Sequence, residues 1–206
     1  MAQKKKAAKK AASKTTKKVS KAAKKVTKKA GVKKVAKKTA TKKTTSKKIK
    51  PPAEIPKLKA SLIGKSFQTT GGDASLKDYQ GKYLVVYFYP KDSTPGCTTE
   101  GRDFTAALDR FKRAGATVLG VSRDSIKSHE KFKEKQGFKF ELLSDPTEEF
   151  CKAFGVIKLK KLYGREFMGV DRSTFILDKK SKPVAAWRGV KVAGHVDEVL
   201  EKLKSL

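Results

Sequence analysis

The sequence predicts an α/β domain over residues 58–206 behind a tail that builds no core, and three observations carry this. Tyr83-Leu-Val-Val-Tyr-Phe-Tyr89 is a continuous apolar run of β-branched and aromatic residues, the pattern of a strand buried on both faces. Phe104, Leu108 and Phe111 follow at i, i+4 and i+7, the stripe of an amphipathic helix. Strand-like and helix-like stretches then alternate to the C-terminus, which is the α/β pattern.

Residues 1–50 hold 22 lysines and no acidic residue, leaving +9 of the formal +31 for the other 156 residues. Ala, Thr, Val and Ser separate the Lys-Lys doublets, and no aromatic occurs. Such a segment buries too little apolar surface to offset its ordering entropy, so it is expected to be disordered. Lysines without base-reading elements neutralise phosphates but read no sequence, so the partner expected for residues 1–50 is nucleic acid, DNA above all. An acidic membrane surface is the weaker alternative, because the tail has no apolar anchor face. A merely solubilising tail is the bland one. Its composition resembles that of linker-histone tails and of lysine-rich bacterial histone-like proteins. Pro51, Pro52 and Pro56 mark a stiff linker over 51–57.

From Leu58 the chain reads as globular. Ser66–Thr70 and Ala74–Leu76 flank Gly71-Gly72-Asp73 as a small hairpin. Ser75–Tyr79 is one helical turn closed by Gly81. After the helix carrying Phe104, Thr117–Val121 is a second buried strand, and Ser125 to Lys135 a surface helix stopped by Gly137. Phe140–Leu143 is a short strand, and Pro146 opens a helix carrying Phe150 and Phe154 that Gly155 ends. Ser173–Leu177 and Val184–Trp187 are antiparallel strands, and His195 to Leu203 a final helix with Val196, Val199, Leu200 and Leu203 inward.

Between the first strand and its helix lies Pro90-Lys-Asp-Ser-Thr94-Pro-Gly-Cys97, so Cys97 sits where a loop enters a first helical turn. Unpaired backbone N–H groups and the positive end of the helix dipole favour a thiolate there, and Lys91 and Arg102 add positive charge. A buried structural cysteine is the bland alternative. Two cysteines in a chain of 206 residues make no disulfide framework, which suits a reducing compartment. No apolar run is long enough to span a membrane, and no signal-peptide core is evident.

The spacing Pro90-x-x-x-Thr94-x-x-Cys97, within YFYPKDSTPGCTTEGRDF at 87–104, resembles the active-site motif of peroxiredoxins, in the peroxiredoxin Q or bacterioferritin comigratory protein branch. The likeness spans roughly 57–206 and returns at Leu142–Pro146, Phe154–Val156, Arg172–Asp178 and Gly194–Leu200. It implies a thioredoxin-like fold and a thiol-dependent peroxidase that needs no cofactor or metal. It also implies Cys97 as the nucleophile that becomes a sulfenate, with Thr94, the Cys97 amide and Arg172 around the peroxide oxygens. Pro90 would shield the sulfur, and Glu100 would help hold the loop. Hydroperoxide is the implied substrate, and a thioredoxin, glutaredoxin or small thiol the implied reductant.

One departure matters. Many members of the branch carry a resolving cysteine five residues after the first or on the next helix. Arg102 holds the first place, and Ser125–Lys135 contains none. Cys151 is the only other thiol and reads as a packing residue, so a one-cysteine mechanism is expected, the alternative being that Cys151 resolves the sulfenate after a large local unfolding. His129 and His195 stand apart from any ligand cluster and read as helix-surface or capping residues. The rival readings are a DNA-compacting protein carrying a little-used peroxidase domain, and a peroxide sensor. The expected location is the cytoplasm, on the nucleoid in a bacterium, or the nucleus in a eukaryote.

Overall fold

The run at Tyr83–Phe88 becomes an inner strand of a seven-stranded sheet in a computed structural model that describes residues 54–162 and 164–206. The tail at 1–50, read as disordered and DNA-binding, and residues 51–53 of the linker lie outside the described residues. In chain order the elements are α1 (Ala60–Ile63), β1 (Phe67–Thr69), β2 (Gly72–Ala74), a 3₁₀ turn (Leu76–Tyr79), β3 (Tyr83–Phe88), α2 (Pro95–Arg113), β4 (Ala116–Ser122) and α3 (Ile126–Gln136). Then come β5 (Glu141–Ser144), α4 (Glu149–Ala153), β6 (Ile157–Leu162), β7 (Arg165–Val170), β8 (Ser173–Leu177), β9 (Pro183–Arg188) and α5 (His195–Lys204).

The sheet order is β2-β1-β5-β4-β3-β8-β9. β3, β4 and β5 run parallel, joined through α2 and α3, and β8 closes antiparallel on β3 with Ser173 opposite Phe88. The α/β expectation therefore holds, with the mixed sheet of a thioredoxin-like fold.

Successive residues of β3 point to opposite faces and feed two cores. Val85, Tyr87 and the following Tyr89 pack with Phe104, Leu108 and Phe111 of α2 and Val196, Val199 and Leu200 of α5. Leu84, Val86 and Phe88 pack with Phe150 and Phe154, and with Phe175 and Leu177 of β8. Each large side chain buried this way stabilises the fold by about 1.5–3 kcal/mol. Gly101, inside α2, has a packing reason: a Cβ there would meet the Phe138 ring at 2.4 Å.

Three local readings change. Gly72 and Asp73 belong to β2 rather than to the hairpin turn. α4 begins at Glu149 and not at Pro146, because Glu148 takes a left-handed conformation (φ 61°) that interrupts helix before it. The β6–β7 ribbon was not anticipated; it forms a separate two-stranded sheet in which Leu159 pairs with Met168, both exposed.

Candidate active site

The polypeptide after β3 makes a tight passage before α2 begins. Tyr89 still bonds through its amide to the Val121 carbonyl at 3.1 Å, after which half-buried Pro90 ends the ladder. Asp92 turns inward, its amide donating to Asp124 Oδ2 at 2.7 Å. Ser93 is left-handed (φ 58°), and Thr94 is extended and occupies the N-cap of α2, with Pro95 first in the helix. The Thr94 carbonyl accepts the first ladder bond, from the Thr98 amide at 2.9 Å. That leaves the amides of Gly96 and Cys97 without a helical partner, as at any helix start.

Cys97 stands in this first turn and is only 2 % exposed. Arg172, immediately before β8, reaches across from the antiparallel neighbour of β3. Its Nη2 donates to Cys97 Sγ at 3.3 Å, while its Nη1 donates to Glu100 Oε2. Glu100 lies one turn further along α2, fully buried, and its other oxygen, Oε1, has no protein partner. Burial pushes the Glu100 carboxyl up to about 7 even with Arg172 alongside. Burial also works against the charge of Arg172, but Glu100 and Cys97 outweigh it and hold the guanidinium above its ordinary range.

The structure thus brings Cys97, Arg172 and Glu100 into contact. Thr94 is placed at the mouth of the same helix, but its hydroxyl donates to the Lys91 carbonyl at 3.1 Å rather than capping the helix. Lys91 and Arg102 are exposed, so solvent screens the charge expected of them.

Cys151 belongs to the other face of the sheet. It packs among Phe88, Phe150 and Phe154, whereas Cys97 packs with the core on the α2 side. Burial first, and the nearby Asp145 second, push its thiol far above the range in which it would ionise. The two cysteines are both free.

Both histidines differ from the expectation of surface or capping roles. His195 starts α5 yet is buried, its Nε2 2.8 Å from Thr174 Oγ1 and its ring edge-on to Trp187. Burial, with Arg172 adding to it, lowers its pKa to about 4. His129 is fully buried between Asp92 and the Leu143 carbonyl. Lone histidines on polar helices gave no hint of this, because their partners lie in segments distant in sequence.

Residues 52–185 match the AhpC/TSA family. Peroxiredoxin Bcp of Xanthomonas campestris is 58 % identical over 135 residues, covering 66 % of this chain and 84 % of that protein. Peroxiredoxin Bcp of Bacillus subtilis is 50 % identical over 136 residues, covering 66 % and 87 %. Among solved structures, peroxiredoxin Q of X. campestris superposes with a TM-score of 0.70 at 54 % identity, covering 73 % of this chain and 96 % of that one. The chain therefore belongs to the AhpC/TSA family as a peroxiredoxin of the Bcp and peroxiredoxin Q branch, a thiol peroxidase.

Proposed function

We propose that Cys97 is the thiol that attacks peroxide, that an external thiol regenerates it, and that residues 1–50 hold the enzyme on nucleic acid. The observation that carries the first part is the Arg172 Nη2 to Cys97 Sγ contact of 3.3 Å. A guanidinium there stabilises the thiolate and stands beside the place where the peroxide oxygens must lie. The sulfur attacks one peroxide oxygen, an S–O bond forms and the O–O bond breaks. Sulfur is oxidised by two electrons, and the leaving oxygen takes a proton to depart as water or an alcohol. Thr94 adds a hydroxyl donor when its side chain turns from Lys91 toward the substrate. Pro90 fixes the exit of β3 and keeps solvent from the sulfur.

The Cys97 sulfenic acid then reacts with an external thiol. A mixed disulfide forms with loss of water, and a second thiol releases the Cys97 thiol and a disulfide product. The opposite-face placement of Cys151 supports this one-cysteine cycle, because no resolving thiol can meet Cys97 without the sheet being taken apart. A thioredoxin, a glutaredoxin or a small thiol fits the chemistry.

The 22 lysines of residues 1–50 support the DNA-bound part, for which the location would be the cytoplasm, on the nucleoid of a bacterium, or a eukaryotic nucleus. The test compares the full chain, Cys97→Ser and a chain lacking residues 1–50. Peroxide consumption is measured with several thiols beside a mobility-shift salt series on DNA. Cys97→Ser should lose turnover, and the truncated chain should lose DNA binding while keeping it. Turnover by Cys97→Ser defeats the first assignment; undiminished DNA affinity after truncation defeats the second. DNA compaction by Cys97→Ser, with negligible peroxide consumption by the full chain, would favour the DNA-compacting reading.

A further inference from the structure

The loop that carries the site is fastened at its inner side by a buried contact between an aspartate and a histidine that the peroxide chemistry does not use. Asp92 is 7 % exposed and His129 not at all. His129 Nδ1 lies 2.9 Å from Asp92 Oδ2 and 3.1 Å from Oδ1, while its Nε2 lies 3.1 Å from the Leu143 carbonyl oxygen of β5. A carbonyl oxygen can only accept, and so can a carboxylate. Both ring nitrogens of His129 therefore face acceptors, and the only form of the ring that satisfies both is the imidazolium, which donates twice.

The carboxylate is held on its remaining sides as well. Tyr89 donates to Asp92 Oδ1 at 2.8 Å, and Ser128 donates to Oδ2 at 2.7 Å. Burial disfavours the Asp92 charge, but the bond from His129, its charge, and the bonds from Ser128 and Tyr89 outweigh this and lower its pKa. The same Asp92 contributes its backbone amide to Asp124 Oδ2, which also takes the Ser122 hydroxyl. Asp145, the acid after β5, is engaged by the Cys151 amide instead. Tyr89, also 3.4 Å from Nδ1, is kept a neutral phenol by its burial first and by Tyr87 and Asp92. On α3 itself, Lys127, Glu130 and Lys131 are exposed.

We propose that His129 and Asp92 form a protonation-dependent latch that holds the Pro90–Thr94 loop, and with it the start of α2, in the arrangement that attacks peroxide. This rests on Cys97 being the attacking thiol. His129 and Asp92 are positioning residues, since neither touches Cys97 or Arg172 in the described contacts. The latch joins three segments, the loop after β3, helix α3 and strand β5, at a point two residues before Thr94.

The direction of its pH dependence follows from the partners. Losing a ring proton leaves a lone pair pointing at a carboxylate or a carbonyl, so the latch loosens as pH rises through that loss. Protonating Asp92 removes the opposite charge, so it also loosens as pH falls through the depressed Asp92 pKa. Between these limits the loop is fixed.

The experiment measures two reactions of reduced Cys97 in the full chain across pH. One is the rate with hydrogen peroxide; the other is the rate of alkylation by iodoacetamide, read on the Cys97 peptide. Both need the thiolate, so their ratio cancels its fraction and reports the arrangement around the sulfur. In parallel, the ring nitrogens of the two histidines are followed by NMR, His195 being separable because its pKa near 4 keeps it neutral.

The expected result is a doubly protonated His129 wherever the peroxide-to-alkylation ratio is high. The peroxide-to-alkylation ratio should fall about tenfold or more in step with loss of its ring proton, the scale of a misplaced reacting group. In His129→Asn and Asp92→Asn the ratio should be low and free of that step. A neutral His129 ring where the wild-type ratio is high overturns the proposal, whether or not the variants fold. So does ring deprotonation with no change in ratio, or a His129→Asn protein with the wild-type ratio throughout. If Cys97 were not the attacking thiol, the wild type itself would show no peroxide reaction at that residue, a different outcome.

Discussion

Gly96 leaves room for the Arg172 guanidinium: a Cβ on this residue would stand 3.2 Å from Nη2, the nitrogen that also holds Cys97 Sγ. Alanine is the better helix former by about 1 kcal/mol, and Gly96 has no left-handed backbone that would forbid it. Gly96→Ala should therefore melt no earlier than the wild type, yet oxidise more slowly, about tenfold, because the arginine tip must yield by some tenths of an ångström. Melting curves beside single-turnover oxidation would check both halves.

Arg172 uses two nitrogens for two partners, which a lysine ammonium on a flexible stem cannot reproduce. Arg172→Lys should keep the charge and still lose about a hundredfold in the oxidation step, as for a displaced oxyanion-type donor. A stopped-flow measurement with excess peroxide reads this step alone. An unchanged rate would mean that charge, and not the two-pronged geometry, is what the site requires.

Glu100 gives stability a pH signature. Its carboxyl is raised from 4.5 to about 7 in the fold by burial, so the folded state binds the extra proton between those values. Stability should then fall as pH rises from about 4.5 to about 7, the sign for a group that holds its proton more tightly when folded. Glu100→Gln should flatten that part of the melting-temperature profile, although it will lower the whole curve if Arg172 is left without its anion. A wild-type profile that rises across the same interval would contradict the burial account.

Cys151→Ala should leave turnover with small thiols unchanged while lowering stability by about 1 kcal/mol, the loss of a small group from a packed core. Mass spectrometry after one equivalent of peroxide should find the oxidation on Cys97 alone. Arrest after one turnover would instead identify Cys151 as a resolving thiol.

The elements that position Cys97 were legible because their signals are local. The apolar run at 83–88, the stripe of Phe104, Leu108 and Phe111, and the Pro-Gly loop between them each declare themselves within a few residues. Arg172 became legible only through resemblance, since a cation before a strand carries no sign of what it will touch. Glu100 was placed by the same resemblance, but its burial, like that of His129 and Asp92, was hidden for a further reason. Each is a polar residue whose burial is made tolerable by a partner elsewhere, and hydrophobic periodicity registers it as solvent-facing. The β6–β7 ribbon escaped because consecutive Lys160 and Lys161 break the alternation that would mark a strand.

The antiparallel ladder between β3 and β8 sets Phe88 opposite Ser173, so the residues just beyond them, the loop toward Cys97 and Arg172, leave the sheet at the same end. The reach of the arginine to the sulfur is thus gauged by a hydrogen-bond register, which can change only in whole steps and not by gradual drift. Chain between α2 and β8 that neither pairs with β3 nor touches the loop, such as the β6–β7 ribbon, can lengthen or shorten without altering that gauge. A graft meant to carry the Cys97–Arg172 contact into another scaffold would have to bring the two strands, the loop after β3 and the start of α2 together.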